Sequence, residues 1–196
     1  AFEAARRANG WNDNRHHIAH IQLVHPSDVP RFRALGVAAN AQMLWAAHYP
    51  QMDELTLPFL GPERSRWQYP FGSLAASGAV LCAGSDWPVS SPDPLQEMHV
   101  GVHRTTPPGY VYGVASEEPF LPEQRLTLAQ AIRAFTMGSA YVNHLDDVTG
   151  SIEVGKRADL VVLSRNLFEL PPAEITSAEV LLTLVDGRPV HEAPGL

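Results

Sequence analysis

The run Ala79-Val80-Leu81-Cys82-Ala83, bounded by Gly78 and Gly84, constrains this chain more than any other stretch. It is apolar throughout and carries no charge, which is the pattern of a strand buried on both faces of a parallel sheet. Gly84-Ser85-Asp86-Trp87-Pro88-Val89 follows at once. An acid therefore stands just past the strand's end, and Pro88 forbids continued ladder pairing. In a barrel of parallel strands, reactive groups project from that C-terminal end. Aspartate is equally common as a turn former or helix cap, so position alone leaves both roles open for Asp86.

The chain before this run repeats one rhythm. Residues 1–8 read as an amphipathic helix closed by Asn9-Gly10. A β-rich run follows over 17–24, and Pro26 to Pro30 signals a helix start, with Ser27 or Asp28 as N-cap. That helix stops at Gly36, and 37–42 reads as another short strand. Strand, short helix, glycine and strand is the signature of parallel βα units. The segment 43–62, with Trp45, His48, Tyr49 and prolines 50, 58 and 62, reads as a long irregular loop overhanging the rim. A helix carrying Trp67, Tyr69, Phe71 and Leu74 is expected before the apolar run.

Beyond Asp86, helices are expected over 95–104 and 127–136, with loop over 107–122. From Gly150 the texture changes. A short strand and tight turn over 150–159 lead into a buried strand at 160–163. A further strand at 180–185 is turned by Asp186-Gly187, a strong hairpin signal. We therefore divide the chain into an α/β part, 1–148, and a small β element, 149–196.

With 196 residues the chain suffices for one domain and an appendage, but falls short of the roughly 250 of a full (β/α)8 barrel. A net charge of −7 argues against a nucleic-acid or anionic-membrane surface. No stretch approaches the ~20 apolar residues of a membrane span, and the first residues lack the order of a signal peptide, so a cytoplasmic location is expected. Cys82 is the sole cysteine, which excludes an internal disulfide and a cysteine metal cluster. Its place inside the apolar run points to packing rather than nucleophilic chemistry.

Four of the nine histidines, His16, His17, His20 and His25, fall within ten positions. On a strand, His20 shares a face with Ile18, opposite Ala19 and Ile21. A histidine late on a buried strand can offer neutral imidazole to a divalent metal; a hydrogen-bonded core histidine is the plainer alternative. His25, beside Pro26, and His48, in the long segment, are candidates for contact with a small-molecule substrate. Trp87 flanks Asp86 and is a candidate for substrate contact or for packing.

The stretch Arg15-His16-His17-Ile18-Ala19-His20-Ile21-Gln22, followed by Gly84-Ser85-Asp86-Trp87-Pro88-Val89, resembles the metal-dependent amidohydrolase superfamily, and within it the amidohydrolase-3, YtcJ-like group. Gly150-Ser151-Ile152-Glu153-Val154-Gly155-Lys156-Arg157-Ala158-Asp159 and Thr183-Leu184-Val185-Asp186-Gly187-Arg188 are similar to that superfamily's closing signature. The resemblance implies a (β/α)8 barrel with one or two divalent ions, usually zinc, and a small β-sandwich. It makes His20 the strand 6 ligand and Asp86 the strand 8 ligand and general base. No His-x-His pair precedes them, so the chain resembles strands 6 to 8 of such a barrel and the sandwich portion after it. Ala19 departs from the glutamate that the group tends to carry there, which puts the substrate class in doubt.

The implied reaction is hydrolysis of a non-peptide C–N bond: an amide, formamide or cyclic amide. Two ligands cannot close a coordination shell, so the isolated chain is expected to be silent and to bind metal weakly. A second reading is a non-catalytic module completed by another chain or a second copy. A third, a deaminase, is not separated from the first by these residues.

Overall fold

The computed structural model describes residues 1–110 and 116–196. Five residues of the proline-rich 107–122 loop, 111–115, therefore lie outside the described residues.

Three short parallel strands form the first sheet, in the order β1-β2-β3: His17–Ala19, Ala38–Ala41 and Leu81–Ala83. β2 is central and is built from three alanines and Asn40. Such small residues let the helices pack close, and Ala39 and Ala41 have no exposed surface. β1 and β3 are the two edges, and Ile18 on β1 and Val80, just before β3, are exposed. Helix α1, Phe2–Asn9, precedes β1, and α2, Val29–Leu35, joins β1 to β2. α2 ends where Gly36 adopts the left-handed conformation (φ 61°), as the C′ glycine predicts. Asp28 stands at the N-cap of α2, as expected, but its side chain makes no capping bond. His25 Nδ1 accepts the Ser27 N–H at 3.2 Å and so caps the 3-10 turn Pro26–Asp28 that leads into α2.

The segment 43–62 is not a loop. It folds into a 3-10 turn, Met43–Trp45, and two helices, α3 (Pro50–Leu55) and α4 (Leu57–Ser65), the latter kinked at Gly61. Pro50 and Pro58 stand in the first turns, where a missing N–H costs nothing, so these prolines start helices instead of breaking one. The helix expected around Trp67 to Leu74 is shorter, α5 (Phe71–Ala76), because Gln68 pairs with Leu23 as an isolated bridge.

Helix α6, Pro94–His103, is capped by Asp93, whose carboxylate accepts the Leu95 N–H at 2.8 Å. The expected helix 127–136 continues further. It opens at a Thr127/Gln130 capping box as α7 (Leu128–Arg133), passes through a π-turn (Ala134–Gly138) and ends in α8 (Ser139–Val142). Strands β4 (Leu160–Leu163), β5 (Val180–Val185) and β6 (Arg188–Glu192) form an antiparallel three-stranded sheet, with Asp186-Gly187 turning β5 into β6. The 150–159 stretch is turn without the expected strand, and β4 is not buried, since Val161 and Val162 are exposed.

Among the described residues, Glu97 and Arg104 are ionisable groups with no exposed surface. Glu97 of α6 is fully buried, and its Oε2 accepts the Leu44 N–H at 3.2 Å. Burial pushes its carboxyl up to about 8. The folded chain thus holds this proton more tightly than the unfolded chain does. The resulting stabilisation is complete below the ordinary value of 4.5 and is lost as pH rises through about 8. Stability should therefore fall by up to about 1.4 kcal/mol per pH unit across that window. Glu97→Gln keeps the acceptor and should remove this slope. Urea unfolding of both proteins at pH 5 and pH 8 checks it, and equal slopes would rule it out.

Candidate active site

The site is assembled around Gln42, which follows β2 and is 3% exposed. Its Oε1 accepts the backbone N–H of His20 at 2.5 Å. Its Nε2 donates to Asn40 Oδ1 at 3.1 Å and to the Gly84 carbonyl at 3.1 Å. One amide therefore ties the C-terminal ends of all three parallel strands together. His20 follows β1 directly, and Asp86 stands three residues past β3.

Both candidate ligands have left-handed backbone, His20 at φ 70° and Asp86 at φ 56°. The strand alternation expected to place His20 with Ile18 therefore ends at Ala19. Ile21 is also left-handed, at φ 51°, and its N–H donates to the Ala19 carbonyl at 2.9 Å. Non-glycine residues pay on the order of 1–2 kcal/mol for this conformation, and such residues gather at functional sites. The long-range bond from Gln42 holds His20 in it. Asp86 is kept in its turn by the Val89 N–H, which donates to its carbonyl at 2.8 Å.

The His20 ring stacks on Trp45, with centroids 4.9 Å apart and an 18° interplanar angle. Trp45 ends the 3-10 turn whose Leu44 N–H is held by Glu97. Among the described residues, no hydrogen bond or ion pair engages the His20 ring nitrogens or the Asp86 carboxylate. The donor set fits a divalent cation, because imidazole and carboxylate are both zinc ligand types. No group of three histidine, cysteine, aspartate or glutamate side chains forms a metal-holding cluster among the described residues. Two candidate donors, His20 and Asp86, fall short of the four ligands that tetrahedral zinc requires.

The other sequence candidates are placed as follows. Trp87, beside Asp86, is 68% exposed. The His25 ring bonds Ser27 and meets the edge of Trp67 at 4.8 Å. His48 Nδ1 lies 2.6 Å from Asp53 Oδ1, and its ring meets Phe120 edge-on at 5.1 Å. Gln42 was missed by reasoning from the sequence. The signal available was a polar side chain at the end of an alanine-rich strand, where an amide is retained only if its hydrogen bonds are met. Removing them should be costly for any bound metal. In the complete gene product, Gln42→Met should weaken metal binding by about 10–100-fold, read by competition with a chromophoric chelator. Unchanged affinity would show that the amide merely fills space.

Fold and rim together define a parallel βα unit with the candidate donors His20 and Asp86 just past the C-terminal strand ends. The chain belongs to the amidohydrolase family, in its YtcJ-like branch: the family's model matches residues 1–191. It is 33% identical to Protein LONG AFTER FAR-RED 3 of Arabidopsis thaliana over 97% of this chain and 31% of that protein. It is 27% identical to YtcJ of Bacillus subtilis (strain 168) over 98% of this chain and 34% of that protein. The chain thus spans about a third of the length of these curated relatives. An adenosine deaminase from Xanthomonas campestris, solved with bound zinc, matches with a TM-score of 0.63 at 19% identity, over 95% of this chain and 39% of its own. That likeness shows a shared fold. Among the described residues, no helix is long and apolar enough to cross a membrane.

Proposed function

We propose that this chain carries the strand 6 and strand 8 ligands, His20 and Asp86, of a divalent-metal hydrolase of non-peptide C–N bonds. Amides, formamides and cyclic amides are the substrate types. The observation that carries the reading is the Gln42 amide, which bonds the backbone at His20 and at Gly84 and so ties both ligand-bearing strand ends to one rim. His20 and Asp86 would hold the ion, which supplies an acidified water and a polarised carbonyl when bound. Asp86 takes a proton from the attacking water as that oxygen joins the carbonyl carbon. It then returns the proton to the nitrogen as the C–N bond breaks, leaving an acid and an amine. Gln42 fixes the backbone at both ends, and Trp45 covers one face of the His20 ring.

The remaining ligands would come from the other strands of the barrel, in a longer polypeptide. Zinc is the ion proposed, since it suits the imidazole–carboxylate pair. On this reading the complete gene product releases amine from simple amides, loses that activity on chelation and recovers it with zinc. Amine release that persists after chelation contradicts the reading. The 196-residue chain alone should be silent and bind zinc weakly; nanomolar zinc affinity by calorimetry would overturn that.

A second reading is favoured by the exposed apolar residues of both edge strands, Ile18 on β1 and Val80 beside β3. Unpaired parallel edges recruit further strands, so the chain could act as a non-catalytic module completed by a second copy. A dimer or larger mass in size exclusion supports that alternative, and a monomer removes it.

A further inference from the structure

Beside the candidate ligands lies a cleft of about 490 Å³. Four aromatic side chains, Trp45, Tyr49, Tyr69 and Tyr110, contribute to its wall. The polar groups between them are neutral amides and hydroxyls, among them Gln22 and Ser90. Among the described residues, no aspartate, glutamate, lysine, arginine or histidine lines it. The cleft is joined to both ligands by direct contacts. Trp45 stacks on His20, the Val89 N–H bonds the Asp86 carbonyl, and the Ser90 hydroxyl bonds the Ser85 carbonyl. Neither His20 nor Asp86 lines the cleft itself; each is one contact removed from it, His20 behind Trp45 and Asp86 through the backbone at Val89.

We infer that this cleft selects amides whose leaving or acyl group is a flat, uncharged aromatic ring. The inference deepens the hydrolase reading and rests on it for turnover, but not for binding. Ring faces favour stacked or edge-on aromatic partners over non-planar groups of equal size. A carboxylate or ammonium in the same place would lose water and gain no countercharge from this wall. Tyr49 and Tyr69 also remain uncharged, since burial raises both phenols above their ordinary value. Gln22 and Ser90 supply neutral hydrogen bonds for an amide group without asking for a charge.

The test uses the complete gene product and one matched set: acetanilide, its 4-carboxylate, its 4-aminomethyl (ammonium) derivative, and N-cyclohexylacetamide. Binding is measured by equilibrium dialysis on metal-free protein, and turnover by amine release with zinc. Acetanilide should exceed both charged derivatives by about 100-fold in affinity and in kcat/KM, and should exceed the cyclohexyl amide by about tenfold. Val89 lines the cleft, is 65% exposed and bonds Asp86 through its backbone alone, so its side chain can change without loss of packing. Val89→Lys should raise kcat/KM for the carboxylate about tenfold and lower it for the ammonium compound. Equal handling of neutral and charged members overturns the inference and leaves the hydrolase reading standing. The stated binding preference without turnover supports the inference and refutes the hydrolase reading. Failure to bind any member overturns the inference.

Discussion

Asp86→Asn should lower kcat/KM of the complete, metal-loaded gene product by about 10³-fold, the scale of a lost general acid–base group. Asparagine suits this test because it tolerates the left-handed backbone that Asp86 adopts at φ 56°. The turn closed by the Val89 N–H and the Asp86 carbonyl is then kept, while the proton-transfer capacity is removed. Metal content must be measured alongside, since an amide is also a poorer ligand. If metal is retained and activity collapses, Asp86 moves the proton. If Asp86→Asn keeps activity within tenfold of the parent, the general base lies elsewhere. Asp86→Ala should fall at least as far in activity, with a further stability cost on the order of 1 kcal/mol from placing alanine at positive φ.

The second large effect is structural and acts on the same strand. Gly138 closes the π-turn that packs on β3, and a Cβ there would lie 2.0 Å from the Leu81 carbonyl oxygen. That atom belongs to the backbone of the strand leading to Asp86, so no side-chain rotation relieves the clash. The neighbouring Ser139 hydroxyl donates to the Ala83 carbonyl at 3.0 Å and pins the same two segments together. Gly138→Ala should therefore cost about 3 kcal/mol, the upper end of overpacking. Thermal unfolding reads this directly, and a variant as stable as the parent would show that helix and strand are free to separate.

How much of this was visible beforehand depends on whether a feature is local. The β3 run, the helix stop at Gly36 and the Asp186-Gly187 hairpin were legible, because each is decided by residues adjacent in sequence. The prolines of 43–62 misled for an instructive reason: Pro50 and Pro58 occupy first-turn positions, where proline favours a helix. The positive φ of His20 was not legible. It depends on an amide twenty-two positions away, and nothing in the His17–Ala19 pattern announces that partner. Gln42 and Asn40 look like ordinary polar interruptions of a short strand until the three strand ends are seen side by side. The cleft follows the same logic, since its aromatic side chains come from one 3-10 turn and three separate connecting segments.

The proposed hydrolase requires that His20 and Asp86 grip one ion. Anomalous diffraction at the zinc edge, on crystals of the complete zinc-loaded gene product, tests it most directly. An anomalous peak is expected about 2.0–2.2 Å from both a His20 ring nitrogen and an Asp86 carboxylate oxygen. A fully occupied zinc whose ligands leave out either side chain would contradict it.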